Sequence, residues 1–195
     1  LALCLSFQAL RLFYEFRGCN MKPGAISRRI TSCLKLYSDR KYEESLINLF
    51  PALDQTAKKR RAVGVGQRIR EFLSDQEDII FCLATRQIHK GMKIDGKSFP
   101  EAIYDFARNP LMHEGELDPR LAFSFERPIQ AGVVWNLPPP FILTICTSVI
   151  IAPENKDEHS ELKAKISIID TEHPLNELWG QEEMVRSKIK KIFNN

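Results

Sequence analysis

What the chain lacks narrows it first. A membrane-spanning helix needs about 20 consecutive apolar residues; the longest such run, FILTICTSVIIA at 141–152, is too short. There is no C-x-x-C pair. Cys4, Cys19, Cys33, Cys82 and Cys146 are scattered and odd in number, and only four histidines accompany them. That spacing offers no zinc or other metal site, and no cofactor is expected. The thiols read as reduced core residues of a cytoplasmic protein. Strong charge is missing too. A net +3 means that any nucleic-acid contact must come from local clusters. Internal repeats and low-complexity tracts are also absent.

What is present is ordinary soluble composition, 44% apolar and 27% charged over 195 residues. That length supports one unit with a sizeable core and excludes general disorder. The opening LALCLSFQALRLFYEF (1–16) is as apolar as part of a signal peptide. It lacks a basic leader and carries Gln8, Arg11 and Glu15, so residues 1–25 are read as an amphipathic first helix or an N-terminal extension.

From residue 26 the apolar spacing becomes helical. Residues 26–38 form a first helix. A second carries Tyr42, Leu46, Leu49, Phe50, Leu53 and Ala57, with Pro51 expected to kink or divide it. It ends in KKRR (58–61) and the loop AVGVG. A third helix begins near Gln67 and buries Ile69, Phe72, Leu73, Gln76, Ile79, Ile80 and Leu83. After a loop, MKIDGKS, Ser98 with Glu101 makes a capping box for a fourth helix. Beyond residue 118 the texture changes. LAFSFE (121–126) and GVVWN (132–136) are expected to pair as a hairpin. Pro140 starts a helix over 141–152, KISIID (165–170) is a strand, and a last helix runs from Pro174. Trp135 and Trp179 read as packing anchors. The fold class is mainly α: an antiparallel helical bundle over 26–118, with a C-terminal α/β elaboration, 119–195, packed on it as one compact unit.

The stretch that bears chemistry is ARNPLMHEGEL (107–117). Arg108 lies opposite the core stripe of Phe99, Ile103 and Phe106. His113 follows five residues later, which in a straight helix is about 140° around the axis. Pro110 cannot donate to the Phe106 carbonyl, and Asn109 before it suits a helix start. A break at Asn109 is therefore expected, and it would swing Arg108 and His113 to one side. With four histidines and many arginines, this spacing arises by chance roughly 0.3 times per chain, so spacing alone says little. The residue types say more. Histidine takes and returns protons near neutrality, arginine forks onto phosphate oxygens, and asparagine positions without titrating. Such a trio can cleave RNA without metal, using the 2′-hydroxyl as nucleophile. Tyr104, one turn before Arg108, is a candidate for base stacking. Lys58, Lys59 and Arg60, with Arg68 and Arg70 following, could track an RNA backbone or simply form a solvated helix end. Glu114 could tune His113, though solvated carboxylates are the common outcome at a helix end.

R-N-P-L-M-H resembles the signature of HEPN domains (higher eukaryotes and prokaryotes nucleotide-binding): Arg, a polar residue, three variable residues, then His. The resemblance covers about residues 26–118. It implies a helical bundle that dimerises, with two motif copies in an intersubunit cleft. It also implies a metal-independent endoribonuclease leaving 2′,3′-cyclic phosphate ends, acting as a toxin or antiviral effector under an antitoxin or regulatory protein. His113 would then be the general base or acid, Arg108 would stabilise the phosphate and Asn109 would position the substrate. Gly115 stands where toxins paired with a nucleotidyltransferase antitoxin commonly carry a modified Tyr, so the resemblance stops short of that form of inactivation. A non-catalytic HEPN-like nucleotide- or RNA-binding or dimeric interaction module is the alternative.

Overall fold

The computed structural model describes Arg11–Leu12 and residues 22–193. Three long helices come first: α1 (Ala25–Ser38), α2 (Tyr42–Arg60) and α3 (Val65–Thr85). Each buries one apolar stripe, as the 3.6-residue spacing requires. Short connections at 39–41 and 61–64 make neighbours reverse direction. Pro51 neither ends nor divides α2, which runs unbroken past it.

After α3 the expected loop is a small hairpin, β2 (Lys93–Ile94) with β3 (Lys97–Ser98). Its turn, Asp95–Gly96, has φ of +50° and +76°, the tight-turn conformation that an Asp-Gly pair tolerates. Ser98 then caps α4 (Phe99–Ala102). The Glu101 N–H donates to Ser98 Oγ, and the Ser98 N–H donates back to Glu101 Oε2 at 2.7 Å. The helix continues through a π-helical turn, Ile103–Arg108, into α5 (Asn109–His113).

The C-terminal part supplies the centre of the core. Helix α6 (Pro140–Ile151) starts on Pro140, and every residue from Phe141 to Ile151 is buried. It packs on α1, α2 and α3 and on the last helix, α7 (Glu182–Phe193). Its buried hydroxyls are satisfied locally: Thr144, Thr147 and Ser148 donate to the carbonyls of Phe141, Leu143 and Ile145 at 3.0, 2.9 and 2.7 Å. Helix α6 thus completes the bundle from within.

The β expectations are partly corrected. β4 (Leu121–Phe123) and β5 (Trp135–Leu137) pair in parallel, not as a hairpin. The segment between them is long enough to loop back, and Asn136 Nδ2 ties it down through the carbonyls of Arg127 and Pro128. β6 (Ala164–Ile168) pairs antiparallel with β7 (Thr171–Pro174). Pro174 therefore ends a strand, and the last helix starts at Glu182. Leu175, Leu178 and Trp179 are buried before that helix begins. Arg11–Leu12 forms β1, a strand on the other edge of β6, where the sequence suggested a helix; the rest of that expected helix lies outside the described residues. Among the described residues no helix is long and apolar enough to cross a membrane.

Candidate functional site

The helix carrying Arg108, Asn109 and His113 does not break. Asn109 is helical (φ −67°, ψ −51°), and its N–H donates to the Tyr104 carbonyl five residues back. This π-turn is how the chain absorbs Pro110. The Phe106 carbonyl, which an ordinary residue 110 would have served, accepts the Asp118 N–H at 3.0 Å from the returning chain. With no orphaned acceptor there is no need for a kink. The expected break at Asn109 is thus overturned. Arg108 and His113 both lie on one continuous helix, and ideal α-helical geometry sets residues five apart about 140° around the axis.

The return loop is held firmly. Gly115 adopts φ +85° just past the helix end, as a C-terminal glycine does. Asp118 takes a two-pronged bond from Arg120, Nε to Oδ1 at 2.8 Å and Nη2 to Oδ2 at 2.6 Å. The Asp118 carboxyl is held below its ordinary range chiefly by that side-chain bond. Arg120 also lies over the buried Phe106 ring, 4.2 Å from its centroid.

Asn109, His113 and Glu114 are solvent-exposed, and among the described residues their side chains have no hydrogen-bond or ion-pair partner. Arg108 is half-buried beside Tyr104, its guanidinium carbon 5.6 Å from the ring centroid. A second arginine shares that ring: Arg70 of α3 lies 4.8 Å from the same centroid. Gly66 makes room, since a Cβ there would sit 3.0 Å from Tyr104 Cζ and Oη. The Tyr104 ring is therefore already occupied as a platform for two cations, and base stacking would have to compete with them. Beyond the helix end, Gly115 and Leu117 line a cleft of about 590 Å³ with Arg40, Lys41, Tyr42 and Phe123.

The basic run after α2 divides. Arg60 is a structural cation: Nε and Nη2 bond Glu154 at 2.8 and 3.0 Å, Nη2 also bonds Glu182 at 2.9 Å, and Nη1 reaches Asp75 at 3.3 Å. A phosphate could reach it only by displacing carboxylates. Burial, the largest single influence, would raise the Glu154 carboxyl, but the Arg60 bond, a backbone hydrogen bond and the charges of Arg60 and Arg61 together hold it below its ordinary range. Lys59 is exposed but engaged, donating to the Glu154 carbonyl and Asn155 Oδ1, both at 3.2 Å. Arg68 forks onto Asp54 at 2.7 and 2.9 Å. Of the cations named for an RNA backbone, Lys58 alone is exposed and without a partner among the described residues, and Arg70 stands apart at Tyr104.

Burial and pairing together separate the arginines. The half-buried ones are Arg60, Arg61, Arg68, Arg70, Arg86, Arg108 and Arg186. Arg60, Arg61, Arg68, Arg86 and Arg186 are each held by an aspartate or glutamate. Of these half-buried arginines, only Arg70 and Arg108 have no carboxylate of the described residues within ion-pair distance, and they meet at one tyrosine. Sequence spacing singled out Arg108 but left Arg70 as one more cation after KKRR.

No cluster of three metal-binding side chains occurs among the described residues. The architecture is a mainly helical bundle with an unpaired arginine pair and a polar helix end at its surface. The chain belongs to the Rv1289 family, whose model matches residues 25–195. No curated protein and no solved structure matches it.

Proposed function

We propose that the chain is a HEPN-like, metal-independent endoribonuclease that acts as a cytoplasmic homodimer. The observation that carries this reading is that Arg108, Asn109 and His113 are all left over by the fold. Of these three Arg108 alone is half-buried, yet it has no counter-ion among the described residues. A desolvated arginine without a carboxylate is costly unless an anion completes it. In the reaction His113 takes the 2′-hydroxyl proton, the resulting oxygen bonds to the adjacent phosphorus as the P–O5′ bond breaks, and the departing 5′-oxygen takes up a proton from water to become a hydroxyl. Arg108 meets the charge on the phosphate oxygens and Asn109 orients the strand. Because the motif residues diverge on one helix, the site is composite: Arg108 of one copy works with His113 of the other. A toxin or defence role, restrained by an antitoxin or regulatory protein, would suit such an enzyme.

The test is cleavage of single-stranded RNA in EDTA by wild type, His113→Ala and Arg108→Ala. Loss of at least 100-fold in both variants, with cyclic-phosphate ends in the wild-type products, is the expected result. Equal cleavage by all three proteins sinks the proposal.

One observation favours a second reading. His113 has no partner among the described residues to orient its ring, whereas catalytic histidines are usually aimed by one. On that reading the chain is a non-catalytic HEPN-like module that binds RNA or nucleotide, or simply dimerises. It predicts binding without turnover and an affinity indifferent to His113→Ala.

A further inference from the structure

Arg70 lies on α3, outside the motif, and nothing in the fold explains why it is unpaired. The carboxylates near it are already engaged. Glu71 bonds Arg61 at 3.4 Å and accepts from Gln67 at 2.8 Å. Glu77 accepts the Gly91 N–H at 2.7 Å. Glu101 accepts both Ser98 donors, at 2.7 and 2.8 Å, and its other oxygen lies 3.9 Å from Lys93. Meanwhile Arg70 and Arg108 both sit on Tyr104, 4.8 and 5.6 Å from its centroid. Those distances leave the two guanidiniums no more than about 10 Å apart, near one Debye length, so the like charges repel each other. An anion between them relieves that repulsion and satisfies two planar forks at once.

We infer that Arg70 and Arg108, held by Tyr104, form a two-arginine clamp for a phosphate of a bound single-stranded RNA. This rests on the ribonuclease reading for the identity of the phosphate, but the clamp itself rests on the arginines alone. Arg70 is a binding residue. Tyr104 is a positioning residue, acting through the two guanidiniums stacked on its ring, and Gly66 makes its close approach to α3 possible.

The experiment uses the full chain carrying His113→Ala, so that RNA is bound without being cut. A fluorescent single-stranded RNA of about a dozen nucleotides is titrated by anisotropy at several salt concentrations. Arg70→Ala is expected to weaken binding about tenfold and to reduce the slope of log K against log salt by roughly 0.7, the loss of one phosphate contact. Arg29→Ala, an exposed arginine on α1, controls for net charge and should cost less than twofold. Tyr104→Phe keeps the ring and should bind as the parent, whereas Tyr104→Leu should match Arg70→Ala. Urea midpoints confirm that each variant folds. If Arg70→Ala behaves as Arg29→Ala does, the clamp is overturned. A second arm titrates inorganic phosphate at fixed ionic strength and reads the melting temperature. If RNA does not bind but phosphate raises the melting temperature only when Arg70 is present, the clamp stands and the RNA reading falls. If neither ligand binds, the clamp is overturned.

Discussion

His173 shows how a single residue sets a pH limit. Lys188 Nζ donates to its Nε2 at 2.7 Å, so the imidazole must be neutral to accept. Burial, and then the Lys188 charge, push its pKa below the ordinary 6.5. The unfolded chain therefore binds a proton that the folded chain refuses. Stability is unaffected above about pH 6.5 and falls as pH drops below it, towards the lower folded pKa. Urea midpoints should decline between pH 7.5 and 5.5 in wild type and less steeply in His173→Gln. Parallel declines would exclude His173 as the cause. Gly66 sets two effects against each other. Alanine in a helix is favoured over glycine by up to about 1 kcal/mol. Here its Cβ would lie 3.0 Å from Tyr104 and 3.3 Å from Arg70 Nη1, both far ends of side chains that can swing away. Gly66→Ala should keep or slightly raise the melting temperature while weakening RNA binding. A fall in both would mean that the helix, not the clamp, was damaged.

At the scale of elements, ion pairs and one π-turn decide what local patterns leave open. The Arg60 guanidinium joins the end of α2 to Glu154 after α6, to Glu182 of α7 and to Asp75 of α3. Arg60→Met strands these carboxylates, and breaking such a buried cluster costs about 3–5 kcal/mol. A loss under 1 kcal/mol in urea would show that water compensates. Pro110 should behave in the opposite way. A proline inside a helix usually costs about 3 kcal/mol, but Asp118 has already satisfied the Phe106 carbonyl. Pro110→Ala should change stability by no more than about 1 kcal/mol. These cases also mark what the sequence could tell. The stripes of α1, α2 and α3, the Ser98–Glu101 box and Pro140 at the head of α6 are local, and they are legible. The π-turn depends on a donor from residue 118, and the parallel pairing of β4 with β5 depends on where residues 124–134 loop, so neither shows as periodicity. At the site, Arg108, Asn109 and His113 stood out by residue type and by their resemblance to a known motif, not by spacing alone. Arg70 did not, because its meaning comes from every nearby carboxylate being taken, which no linear pattern records.

For the whole molecule, the chain order conceals where the core is. The motif helix ends at His113, and a bundle over 26–118 looks complete on paper. Yet α6 has no exposed face. Its seven large apolar side chains, Phe141, Ile142, Leu143, Ile145, Val149, Ile150 and Ile151, are all buried, mostly against α1, α2 and α3. At ~1.5–3 kcal/mol each, they contribute about 10–20 kcal/mol, as much as the net stability of a typical domain. A fragment of residues 22–118 would keep its helical propensity but expose the surface that α6 covers. It should show no cooperative urea transition and should bind a hydrophobic dye. Adding residues 119–195 as a separate polypeptide should restore the transition. A cooperative transition in the fragment alone would make 26–118 an autonomous domain and α6 a dispensable addition. If the fragment fails as expected, the Arg70–Tyr104–Arg108 cluster depends on α6 too, because α6 packs on the helix that carries Arg70. RNA binding and folding should then be restored together at the same ratio of the two pieces.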